Sequence, residues 1–381
     1  MRAPRYLRLT VGAVAIGMAM VPGACSLRQP PEKWESVPIP TDADFRGMWF
    51  CDSLRGWITG GGWAIPGGIV GRTRDGGRSW RFQSGVVPQA GDRFGLHDVQ
   101  FQDSLRGCVV GDHGAILLTE DGGENWRRAS RPHTGGTGLF DVQFFDADHG
   151  WAIGSARILQ TEDGGETWRL LIRSVLENDY RGGNAIHFVD RFHGWLAGRD
   201  GRLMRSEDGG RTWTPVVLPL RESEHPTLWD ITFTDPSHGW VVGDEGAIFH
   251  SDDGGQTWAR QENGVPIERV LPKGEPPRPR DVLPELEVPP SRLSISAVCF
   301  VDPSRGWAVG YYADVAESVI LGTSDGGQSW EIERVQPGEL LRSLFALDAT
   351  HAWAAGDRAR TQSQVVLRYT AARSLAPSGD D

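Results

Sequence analysis

The chain has 381 residues, a formal net charge of −11, 50 glycines, 24 prolines and 16 tryptophans. Such acidity argues against a general nucleic-acid binder, which needs a cationic surface to meet phosphates. Ten scattered histidines, and three cysteines (Cys51, Cys108, Cys299) besides Cys25, give neither a metal-ligand spacing nor a disulfide framework.

In chain order, "MRAPRYLRLT" carries three arginines and is followed by the apolar run "VGAVAIGMAMV", too short to span a bilayer comfortably, and then by "PGAC". This is the layout of a signal peptide over 1–24, with Cys25 placed as the acylated first residue of a lipoprotein although Pro22 departs from the usual leucine-like residue. Its removal takes away Arg2, Arg5 and Arg8 and leaves the rest more acidic. A linker over 25–33 leads to "KWESVPIP", which reads like the strand that follows a box in the repeats below, yet no box precedes it.

From there the sequence repeats. "TRDGGRSW", "TEDGGENW", "TEDGGETW", "SEDGGRTW", "SDDGGQTW" and "TSDGGQSW" share Ser/Thr-x-Asp-x-Gly-x-x-Trp, with aspartates at Asp75, Asp121, Asp163, Asp208, Asp253 and Asp325. A second pattern, typified by "FTDPSHGWVVG", runs in step seven times, its final glycines about 45 residues apart. Short apolar runs separated by Asp/Gly turns read as strands, and no window keeps a helical period. Aspartate closes such turns on its own backbone, and glycine supplies positive φ. The boxes are therefore structural hairpins, since an active site is not built six times over. The expected fold is all-β, a single seven-bladed β-propeller of four-stranded antiparallel blades over 34–372. The seventh copy lacks a box, so Trp34–Val37 is expected to supply its fourth strand, and 373–381 reads as a flexible tail.

Three further sets of residues stand out. The slot before the "GW" glycine holds Arg55, Arg106, His149, His193, His238, Arg305 and His351, each three residues after an aspartate, which favours a local turn bond over a basic ring. Asp98, Asp141 and Asp230 each lie three residues before a strand-ending phenylalanine, and read as caps on a neighbouring blade rather than an acid–base pair. The irregular loops feeding the inner strands carry Arg46, Arg93, Arg131, Arg181, Arg221 and Arg342, with Arg199 on a turn of the same face. Six of these (Arg46, Arg93, Arg181, Arg199, Arg221, Arg342) are the candidate partner-binding residues, and Trp49, Trp63 and Trp229 lie outside the two tryptophan slots. One interval is longer by about 22 residues, because 262–292 inserts an arm whose eight prolines exclude helix and central strand.

The tandem of "F-x-D-x-x-H-G-W-x-V-G" and "S/T-x-D-G-G-x-T-W" resembles the photosystem II assembly and stability factor family. The resemblance implies a lumenal or periplasmic propeller, lipid-anchored in many bacteria, acting as a non-enzymatic assembly chaperone. Its implied partner is a newly made membrane-protein segment, held by an arginine patch on one face. No catalytic, cofactor or metal residues and no nucleic acid are expected, the membrane is met only through the anchor, and a monomer is expected. The Asp-Gly box is shared with sialidases and xyloglucanase-type glycosidases, so a glycan-binding or glycoside-hydrolase propeller is the alternative. The chain lacks the Phe-Arg-Ile-Pro-like motif of sialidases.

Overall fold

Each repeat opens on an inner strand, and in the computed structural model each inner strand heads an antiparallel blade of four strands, with blades 1 and 2 joined into one eight-stranded sheet where Gly61 and Gly62 pair with Gly95 and Phe94. The structure describes residues 33–62, 65–87, 94–130, 137–154, 157–172, 183–222, 224–265, 268–269, 291–313, 315–358 and 364–369. The inner strands are Asp44–Phe50, Phe94–Phe101, Leu139–Phe144, Gly183–Phe188, Leu228–Phe233, Ser291–Phe300 and Glu339–Asp348, heading blades 1 to 7 in that order. In blade 5, Leu228–Phe233 pairs with Gly239–Gly243, which pairs with Ile248–Ser251, which pairs with Ala259–Arg260. The fold is a seven-bladed β-propeller, and among the described residues the only helical element is the short 3-10 turn Asp112–Gly114. Within the proline-rich insertion, Glu268–Arg269 adds a two-residue rung against Ser291 and Arg292.

Blade 7 takes three strands from the end of the chain and its outermost strand from the beginning. Trp34 lies opposite Tyr369 and Val37 opposite Val366. No box stands beside this strand, and the buried Glu333 of blade 6 fills the gap. Its carboxylate accepts from Lys33 Nζ at 2.9 Å, Trp34 Nε1 at 2.8 Å and Trp307 Nε1 at 3.2 Å.

The seams between blades repeat one aromatic arrangement. The phenylalanine ending an inner strand stacks on the "GW" tryptophan of the preceding blade, as in Trp57–Phe101 at 3.5 Å, Trp151–Phe188 at 3.7 Å and Trp240–Phe300 at 3.6 Å. Its edge meets the box tryptophan of its own blade, as in Phe188–Trp213 at 6.0 Å. Offset and edge-on rings of this kind add to plain area burial. The glycine of "GW" is forced by the same ring, because a Cβ at Gly239 would lie inside Phe233. In blade 2 the tryptophan is replaced by Cys108, and the apolar Leu118 packs with it against Phe144. The three later cysteines occupy different places in their blades. Cys299 lies on an inner strand, Cys51 follows its inner strand and Cys108 lies on a second strand, because the slot it fills is the tryptophan slot.

The boxes are turns tied at both ends. Asp253 accepts from Ser251 Oγ at 2.9 Å, Thr257 N at 2.9 Å and Thr257 Oγ1 at 2.6 Å, while Gly255 N donates to Ser251 Oγ at 2.8 Å. Gly254 and Gly255 take φ of 71° and 70°, a region that side chains disfavour. The same turn holds the neighbouring hairpin of its blade, since Gly254 N donates to the Ser237 carbonyl at 2.9 Å. Asp253→Ala should therefore cost about 1–3 kcal/mol in urea unfolding. A variant of unchanged stability would refute the structural role of the box.

The basic slot is absorbed locally. Arg55 Nε donates to Asp52 at 2.6 Å, Arg106 Nε to Asp103 at 2.8 Å, and His193 Nδ1 meets Asp190 at 2.7 Å. Arg305 departs from the pattern. Its backbone amide bonds Asp302, but its guanidinium turns to Tyr369 Oη at 3.2 Å and covers the Trp307 ring at 4.5 Å. The missing seventh box leaves that space open to it.

Candidate functional site: the mouth of the central cavity

A propeller's inner strands line a central space, so the side chains aimed into it depend on the local pairing of each strand. In every blade the register between first and second strands slips by one residue at the same place, for example between Leu96 and Asp98 and between Leu228 and Asp230. A bulge of this kind leaves one residue unpaired and re-aims its side chain. The bulged residues are Arg46, His97, Phe140, Asn184, Trp229, Ser296 and Arg342, and all seven line one cavity of about 350 Å³.

Three of these side chains, His97, Trp229 and Arg342, are held by the residue that follows the second-strand glycine. Gly95 N and His97 Nε2 both reach the Asp112 carboxylate, at 2.7 and 2.8 Å, and Arg46 Nη1 meets His97 Nδ1 at 2.8 Å. Arginine can only donate, so His97 accepts on Nδ1 and carries its proton on Nε2, toward Asp112. Burial pushes the Asp112 carboxyl up, but His97, the Gly95 amide and the Arg46 charge together outweigh it and hold it below the ordinary carboxylate range. Trp229 Nε1 donates to Asp244 at 2.7 Å and leaves its ring 37% exposed at the mouth. Arg342 Nε donates to Asp357 at 2.8 Å and its guanidinium lies over Tyr311 at 5.3 Å. Burial raises the Asp357 carboxyl, against the opposing pull of Arg342.

One layer deeper lie Asp98, Asp141 and Asp230. Each accepts an amide from the following blade: Val142 N to Asp98 at 3.0 Å, Ile186 N to Asp141 at 2.7 Å and Val298 N to Asp230 at 2.9 Å. Gln100 and Gln143 span the same seams, donating to the Phe144 and Phe188 carbonyls at 3.1 and 3.0 Å. Asp98 and Asp141 also bond each other, and burial followed by the Asp141 charge drives Asp98 well above the usual range. Burial pushes Asp230 up to about 7. Ser296 and Cys299 line the same cavity, but their side chains donate to the Leu341 and Ala346 carbonyls of the next blade, at 2.8 and 3.8 Å, while the three carboxylates are engaged by the seam amides.

The arginines singled out in the sequence fall into four groups. Arg46 and Arg342 come together in the cavity wall. Arg199 is exposed on the turn after Gly198, on the same rim, where Gly201 N donates to the Pro226 carbonyl at 2.6 Å. Arg221 lies outside the cavity lining and pairs with Glu262 at 2.9 Å. Arg93, Arg131, Arg181, Trp63 and Cys25 lie outside the described residues. Sequence reading missed His97, Phe140, Asn184 and Ser296, which share the bulge slot four residues before the strand end but share no chemistry. Among the described residues the one group with ligand atoms close enough for a metal is Asp146, Asp148 and His149. There the Asp146 carboxylate is already taken by His149 and Arg191.

Comparison with known proteins identifies relatives for this arrangement. The model of the family described as photosynthesis system II assembly factor YCF48 matches residues 28–136, 132–222 and 219–271, well over half of the chain. The chain is 30% identical over 104 residues to the chloroplastic photosystem II stability/assembly factor HCF136 of Arabidopsis thaliana, covering 26% of each chain. It is 27% identical over 123 residues to the photosystem II assembly lipoprotein Ycf48 of a Synechococcus strain, covering 32% of this chain and 34% of that one. The alignments thus span only about a quarter to a third of these relatives. The solved structure of YCF48 bound to a D1 peptide superposes with a TM-score of 0.64 at 20% identity, over 89% of this chain and 95% of that one.

Proposed function

The chain belongs to the photosystem II assembly factor YCF48 family, and from that premise we propose that it binds a segment of a membrane protein at the cavity mouth during assembly of a membrane complex. The observation that carries this reading is the ring of seven bulges, which aims cationic, aromatic and amide side chains into one cavity on a rigid frame. Arg46 and Arg342 suit a carboxylate of the partner, Trp229 and Phe140 suit an apolar side chain, and Asn184 suits a backbone amide. A YCF48 structure carrying a D1 peptide supports the same class of ligand. The reading is non-enzymatic, because the buried carboxylates are engaged as seam caps.

Arg342 is committed to Asp357, so reversing its charge would set two carboxylates together and damage folding as well as binding. Arg46 is exposed, and its partner is a neutral imidazole. Arg46→Glu should weaken capture of a D1 peptide at least tenfold, about 1.4 kcal/mol, with little change in melting temperature. Calorimetric titration showing wild-type affinity would sink the assignment of the mouth. In this reading Cys25 is the lipidated first residue of an exported protein, and mass spectrometry of membrane-extracted protein should find the acyl mass on it.

A further inference from the structure

The rim opposite the cavity mouth carries the boxes and the turns between first and second strands. The two are joined in each of blades 1 to 6, because the first box glycine donates its amide to the turn, as Gly76 N does to the Leu54 carbonyl at 2.9 Å and Gly209 N to that of Phe192 at 2.9 Å. The residue carrying that carbonyl is Leu54 in blade 1, Leu105 in blade 2 and Phe192 in blade 4, and these side chains stand 52, 55 and 56% exposed. In blade 3 the slot holds Asp148, but Phe145 on the same turn is 43% exposed. Blades 5, 6 and 7 place Ser237, Ser304 and Thr350 there. Four consecutive blades thus present apolar tips on one rim, and three do not.

The chain enters the propeller at that same rim. Trp34 starts its strand beside Tyr369, whose hydroxyl meets Arg305 of a rim turn, and Lys33 reaches Glu331, the residue after a box tryptophan. Cys25 precedes Lys33 by only eight residues, a reach of about 27 Å at full extension.

We propose that this rim rests on a lipid bilayer surface, with Leu54, Leu105, Phe145 and Phe192 entering the edge of the hydrocarbon and the cavity mouth facing away from the membrane. A protein partner would call for a contiguous apolar centre with a polar border. Here the tips stand apart on separate turns, with half-exposed, ion-paired Arg55, Arg106 and Arg191 between them. Separate apolar prongs among guanidinium groups match the interfacial zone, where the charged heads stay with the lipid headgroups. The inference adds a second membrane contact to the anchor at Cys25 and rests on that reading only for the tether.

Hydrogen exchange of the full chain on phosphatidylcholine vesicles tests it. The turn peptides 50–56, 101–107 and 188–194 should exchange at least fivefold more slowly with vesicles than without, while 94–98 and 227–230 at the mouth stay unchanged. Replacing all four tips by serine should abolish the protection even in protein that mass spectrometry shows to be acylated. Acylated, vesicle-bound protein with unprotected turns would overturn the lipid surface but leave the anchor standing, and protected turns without acylation would do the reverse. Protection that appears without vesicles and grows with protein concentration would assign the rim to a second copy and overturn the proposal.

Discussion

Glu333→Ala should be among the most destabilising single substitutions in the molecule, lowering unfolding free energy by about 3–5 kcal/mol. The Glu333 side chain is 1% exposed and accepts from two indole N–H groups and one ammonium. Its loss leaves the Trp34 and Trp307 donors buried without partners, each costing about 1–3 kcal/mol. In blades 1, 3, 5 and 7 the equivalent indole bonds a box carbonyl of the next blade, as Trp151 Nε1 does to Gly209 at 3.1 Å. Blade 7 has no box, so a side chain replaces a backbone atom at the seam where the ring closes. Glu333→Gln keeps an acceptor for one indole and should fall between alanine and wild type. Equal urea midpoints for all three proteins would refute the closure role.

Stability should peak near pH 4 to 5 and fall toward pH 8, and Asp230→Asn should flatten that fall. Burial raises the Asp230 carboxyl from 3.8 to about 7, so the folded state holds a proton that the unfolded state releases at lower pH. A raised carboxyl stabilises fully below about 3.8, and its contribution disappears as pH climbs through about 7. The shift sets an upper bound of about 4 kcal/mol, and since Asp230 borders an open cavity about 2–4 kcal/mol is expected. Asp98 and Asp141 shift the same way, chiefly through burial. Rim carboxylates act oppositely but at lower pH: Asp121, held at about 2 mainly by the Asn125 amide, loses its contribution only as pH falls below about 4. Denaturant unfolding at pH 4.5 and 8 reads the difference directly. An Asp230→Asn variant with the wild-type pH slope would show that this carboxyl is ionised at no cost.

The architecture was legible because its determinants are local and repeated. A box needs a hydroxyl, an aspartate and two glycines at fixed spacing, and six copies carry them. The closing strand was legible by subtraction, as one unit lacked a strand and one strand lacked a unit. The mouth was only partly legible. Its positions are set by a bulge, which leaves no residue preference, so arginine, histidine, phenylalanine, asparagine, tryptophan and serine all occupy one slot. Charge drew attention to Arg46 and Arg342 but also to Arg221, which the fold sets outside the cavity lining and pairs with Glu262. The signal that marks the slot is distance rather than residue type: in blades 1 to 6 it lies four residues before the phenylalanine that ends the inner strand.

The strand that completes blade 7 also fixes an order of events. Trp34 and Glu333 are separated by 299 positions, and Tyr369 lies farther still. Synthesis delivers Trp34–Val37 first, yet its pairing partner Gln364–Tyr369 among the last of the described residues. A chain interrupted before residue 364 holds six blades, two unpaired edges and a stranded tryptophan, the features that invite aggregation and proteolysis. Joining these two strands thus makes survival in the cell conditional on synthesis continuing through Tyr369.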